Sequence, residues 1–96
     1  MKFLLIDDNP TDRELLVQRL RREFPGAEFV EVFRRQTFDE AVAQGDFDVV
    51  LTDYQLHWTD GLWVVTTLRE RLPHVPIIMF PDSGGEEIAV EGLKAG

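Results

Sequence analysis

Two short apolar runs in this chain each end directly on carboxylates. Phe3-Leu4-Leu5-Ile6 runs without polar alternation into Asp7 and Asp8, and the stretch Phe47 to Thr52 delivers Asp53 in the same way. A run without alternation is the pattern of a strand buried on both faces, as in a parallel sheet covered by helices on either side. Such sheets collect their chemistry at the carboxyl ends of the strands. Asp7 and Asp8 side by side at a strand end would repel by about 4 kcal/mol at contact distance and an effective dielectric near 20. Something positive is expected between them.

The intervening segments read as helices. Asn9 caps a helix with Pro10 at its first position, where the missing N–H is harmless, and Leu16, Leu20 and Phe24 recur at i+4 until Pro25-Gly26 stops it. Ala27 to Phe33 reads as an outer strand, with Phe29 and Phe33 on one side and Val30 and Val32 on the other. Thr37 and Glu40 form a capping-box pattern for a short helix through Phe38, Ala41 and Val42, closed by Gly45. Gln55 to Thr59 reads as a loop. Asp60 caps the next helix, whose inner stripe is predicted as Leu62, Val65, Leu68 and Leu72 before Pro73. Pro76 to Phe80 is a fourth strand, and Ser83 with Glu86 marks a last helix with Ile88, Ala89 and Leu93 inward. Four strands, each followed by a helix, imply right-handed crossovers in an α/β doubly wound parallel sheet.

With 96 residues and 44% hydrophobic content, residues 1–96 are expected to form one small domain. The formal charge of −8, from 18 acidic against 10 basic residues, argues against nucleic acid or an anionic membrane as a direct partner. A cation fits better. There is no cysteine, hence no disulfide and no thiolate metal site, and Lys2 and the apolar run after Met1 are far short of a signal or spanning segment. The expected setting is the cytoplasm.

If the first and third strands are neighbours, Asp7, Asp8 and Asp53 converge, and their repulsion raises their pKa values unless a cation compensates. Mg2+ suits such a cluster because it prefers oxygen ligands and takes one or two carboxylates together with waters and a phosphate. His57 and His74 have no ligand spacing for zinc. His57 reads as a loop residue, and Trp58 and Trp63 as packing groups.

"LLIDDNP", "DVVLTDYQL", "DGLWVVTTLRERLPHVPIIMF" and "EEIAVEGLKAG" resemble, in order and spacing, the receiver domain of bacterial two-component response regulators. The resemblance implies a flavodoxin-like fold of strand order 2-1-3-4-5. It implies a phosphoryl group accepted on Asp53 from a sensor histidine kinase or phosphotransfer protein, and Mg2+ held by Asp7, Asp8, Asp53 and the main-chain carbonyl of Gln55. It implies no catalysis on an external substrate, at most slow loss of the domain's own phosphoryl group.

The sequence departs from the family at three places. Pro81 stands where a hydroxyl residue is usual, with Ser83 close by, and the loop "QLHWTDG" lacks the commoner Pro-Gly. The chain stops at Gly96, before a fifth strand and helix that would carry a Lys, so the receiver is expected to be incomplete at its C-terminus, leaving order 2-1-3-4. Lys2 and Lys94 are not replacements. An exposed edge at strand four would make a homodimer possible. The alternative function is a degenerate receiver that binds partners or dimerises without efficient phosphotransfer. A flavin-binding role on the same fold is disfavoured, since acids stand where a phosphate needs donors.

Overall fold

The computed structural model describes residues 1–80 and 90–94. Strands β1 (Lys2–Ile6), β2 (Glu28–Val32), β3 (Val49–Asp53) and β4 (Ile77–Phe80) alternate with helices α1 (Pro10–Glu23), α2 (Arg35–Gln44) and α3 (Gly61–Arg71). Residues 90–94 are helical. The strands form one parallel sheet in the order β2-β1-β3-β4. This is the expected doubly wound, flavodoxin-like arrangement. The expectations about Pro81, Ser83 with Glu86, Ile88 and Ala89 lie outside the described residues.

Both faces of β1 and β3 are covered, which is why their sequences do not alternate. Phe3 and Leu5 of β1 and Val49 and Leu51 of β3 pack with Leu16, Val17 and Leu20 of α1. Leu4, Ile6 and Val50 point the other way, against Phe38 and Val42 of α2 and Val64 and Leu68 of α3. As the outer strand, β2 splits as expected: Phe29 stacks on Phe3 at 5.4 Å, while Val30 and Val32 join the opposite core. Phe33 follows the strand and is exposed.

Asn9 caps α1, its side-chain oxygen accepting the N–H groups of Thr11 at 2.9 Å and Asp12 at 3.2 Å, with Pro10 at the first turn. Asp60 caps α3 by accepting the N–H of Trp63 at 2.7 Å. Gly45 closes α2 in the left-handed conformation, φ 69°.

Two expectations are corrected. Helix α2 begins at Arg35, two residues before Thr37, and its N-cap residue Arg34 makes no side-chain cap bond. Thr37 is inside the first turn, donating to the Arg34 carbonyl at 2.9 Å and accepting the Phe33 N–H at 3.4 Å. The inner stripe of α3 is Gly61, Val64 and Leu68, with Val65 only partly covered and Leu62 73% exposed. This helix carries apolar residues all round its first turns, so 3.6-residue periodicity alone allows two phases; the sheet selects the one that buries Val64.

Candidate functional site

The register of the sheet builds the site. Ile6 pairs with Thr52 across β1 and β3, so the next residues, Asp7 and Asp53, stand level on neighbouring strands, which run about 4.8 Å apart. By strand alternation both continue the face of Leu5 and Leu51. Both are buried, Asp7 at 1% exposure and Asp53 at 5%.

Asp7 is fixed through its backbone. Its N–H donates to the Val32 carbonyl at 3.0 Å and its carbonyl accepts Arg13 Nη1 at 2.7 Å. Its carboxylate Oδ1 accepts the Asn9 N–H at 2.9 Å. Burial holds the Asp7 carboxyl above its ordinary range; the Asn9 amide offsets part of this, Asp12 and Asp8 push the same way as burial, and Arg13 opposes. Asp53 accepts the Gln55 N–H on Oδ1 at 3.2 Å. The backbone that follows is pinned: the Tyr54 N–H donates to the Phe80 carbonyl at 3.1 Å, the Gly61 N–H donates to the Tyr54 carbonyl at 3.1 Å, and Gln55 bridges Asp60.

Asp8 is held differently. Its Oδ1 accepts the indole N–H of Trp58 at 2.9 Å, its Oδ2 accepts the backbone N–H of His57, and the His57 imidazole stands 3.7 Å from Oδ2. From sequence His57 is expected to be a loop residue and Trp58 a packing group, yet both meet Asp8. They lie 49 and 50 residues from Asp8, so no local pattern reveals the contact.

Asp7, Asp8, Asp53 and Gln55 line one open cleft of about 860 Å³ at the carboxyl edge of the sheet. Among the described residues no three acidic or imidazole side chains stand in a ready-made metal cage. The three carboxylates line the same cleft, with Asp8 engaged by the loop. The donor set still fits a hard divalent cation such as Mg2+. It consists of oxygens, and Asp7 is a buried acid with like charges near it, which a cation would relieve. Lys94 pairs with Glu23 at the far end of α1, 3.8 Å away, and Lys2 lies over Phe47 at the amino end of β1, so neither lysine serves the cleft.

The profile of the family described as "Response regulator receiver domain" matches residues 3–96. The chain belongs to this family. This receiver domain is 35% identical to the response regulator protein PilR of Pseudomonas aeruginosa, over 99% of the chain and 21% of that protein. It is 36% identical to the transcriptional regulatory protein ResD of Bacillus subtilis, over 99% of the chain and 38% of that protein. It therefore spans about a fifth to two-fifths of these curated relatives. Among solved structures, the bacteriophytochrome response regulator AtBRR superposes with a TM-score of 0.74 at 29% identity, covering 99% of this chain and 76% of that one. The receiver domain of the hybrid histidine kinase CckA superposes at 0.75 with 19% identity, covering 99% and 97%. The latter likeness speaks for the fold alone. The receiver domain is a module of two-component signalling. No helix among the described residues is long and apolar enough to cross a membrane.

Proposed function

We propose that this receiver domain accepts a phosphoryl group on Asp53 from a phosphohistidine of a sensor histidine kinase or phosphotransfer protein. The observation that carries the reading is the pairing of Ile6 with Thr52, which puts the Asp53 and Asp7 carboxylates side by side at the mouth of an open cleft. A carboxylate oxygen of Asp53 attacks phosphorus in line, the P–N bond breaks, and its electron pair leaves with the imidazole. Asp7, Asp8, Asp53 and the main-chain carbonyl of Gln55 would hold Mg2+. When bound, the ion neutralises charge developing on the equatorial phosphoryl oxygens. The chain's own part is to position: the Gln55 N–H orients the Asp53 carboxylate, and Asn9 orients that of Asp7.

One relative in this fold is described as carrying a phosphorylated aspartic acid with a calcium ion, which supports an acid-plus-divalent-cation site of this kind. Others are described as bound to a promoter, but the charge of −8 argues against DNA contact by this domain. The setting that fits is cytoplasmic, with a homodimer as a further assembly.

The test is incubation with Mg2+ and a small phosphodonor, followed by intact mass. One added phosphoryl group, lost in Asp53→Asn, is the expected result. An unmodified wild-type chain, or an adduct that survives Asp53→Asn, would overturn it.

A further inference from the structure

We propose that Trp58 is a positioning residue for Asp8, so that an indole N–H in the β3–α3 loop sets how tightly the acidic cleft takes a divalent cation. The inference rests on the reading of the cleft as a metal site. Trp58 Nε1 donates to Asp8 Oδ1 at 2.9 Å, between residues that are distant in sequence. The ring that carries this donor belongs to a three-ring cluster with Phe38 and Trp63. It lies 5.6 Å from Phe38 of α2, which is 1% exposed, and meets Trp63 of α3 edge-on at 6.4 Å and 83°. Trp63 in turn packs 5.4 Å from Phe38 and carries the Arg35 guanidinium 4.3 Å above its ring. A Trp side chain has two rotatable angles, and its contacts with Phe38 of α2 and Trp63 of α3 restrict both, so that this packing sets the direction of its N–H.

The geometry leaves room for a cation. A carboxylate offers about four lone-pair sites, and the loop uses one on each oxygen of Asp8, through Trp58 and the His57 amide. The remaining two stay available, and the carboxylate that presents them is held in one orientation. The His57 amide comes from the backbone and would be supplied by any residue but proline. The second bond depends on the side chain at position 58 alone. Hydrogen-bond partners that orient metal ligands are typically worth 10- to 100-fold in metal affinity, so removing this donor weakens binding by about that factor.

The substitution that isolates the donor is Trp58→Phe, which keeps a ring beside Phe38 and Trp63 and deletes the N–H. Titration calorimetry with MgCl2 on wild type and Trp58→Phe, with thermal unfolding as a check on folding, reads the effect. Affinity weaker by about tenfold or more, at a retained melting transition, is the expected result. Equal or tighter binding by Trp58→Phe overturns the inference and leaves the metal reading intact. Wild type that takes up no Mg2+ overturns both. Should Trp58→Phe fail to fold, the two indole N–H resonances of wild type decide. That of Trp58 must shift with added Mg2+ at the same midpoint as the calorimetric binding while that of Trp63 moves less, and an unmoved Trp58 signal overturns the inference.

Discussion

Gly61 donates its N–H to the carbonyl of Tyr54 at 3.1 Å, and a β-carbon on Gly61 would stand 2.6 Å from that same oxygen. The obstacle is backbone, which cannot swing aside as a side-chain tip can. Gly61→Ala must therefore push α3 away from the loop that carries Gln55. The expected loss is about 1–3 kcal/mol, read as a lower urea midpoint with unchanged slope. An unchanged midpoint would show that the loop and helix yield freely here.

Helix α1 depends on Asn9, whose oxygen takes two N–H groups, while the Thr37 hydroxyl serves no cap. Asn9→Ala is expected to lower stability by about 1 kcal/mol, and Thr37→Ala by clearly less. Urea unfolding of the two variants side by side checks the order. Comparable losses would mean that the capping-box pattern at Thr37 is used after all.

How far this architecture was legible in the letters depends on the range of the interaction that decides each feature. The runs at Phe3–Ile6 and Val49–Leu51 declare themselves because a doubly covered strand needs apolar side chains on both faces. Asn9-Pro10 and Asp60 are legible because a cap is settled within three residues. The start of α2 is not, since it follows from where β2 leaves the sheet at Val32 rather than from Thr37. The phase of α3 is hidden because Leu62, Trp63, Val64 and Val65 are all apolar and only contact with the sheet ranks them. At the site, a repeated motif disclosed the acids at strand ends, whereas the hold of Trp58 and His57 on Asp8 exists only after folding.

The phase of α3 is itself testable. Leu68 is wholly buried between helix and sheet, and Leu62 faces solvent. Leu68→Ala is expected to lose about 2–5 kcal/mol, and Leu62→Ala to change stability by no more than about 0.5 kcal/mol. Thermal or urea unfolding distinguishes them. A large loss at Leu62 would restore the stripe predicted from sequence.

The burial of Asp7 makes a prediction with a definite sign. Its folded-state carboxyl is raised above its ordinary value of 3.8 by desolvation, so the folded chain binds this proton more tightly than the unfolded one. Its contribution to stability is then fully present below 3.8 and is lost as pH rises through the folded-state value. Above that value and without metal, the desolvation of Asp7 is a net burden. Asp7→Asn keeps an oxygen for the Asn9 N–H and removes the charge. In EDTA the variant should melt higher than wild type at neutral pH, each kcal/mol being worth about 4–8 °C in a domain of this size. The gap should close as pH falls toward the ordinary carboxylate range. Mg2+ should reverse the order, because only a chain that binds the ion gains from it, by about 2.7 kcal/mol at a hundredfold excess over Kd. A variant less stable than wild type in EDTA at neutral pH, or a gap that does not narrow on acidification, would show that the Asp7 charge is compensated within the protein itself.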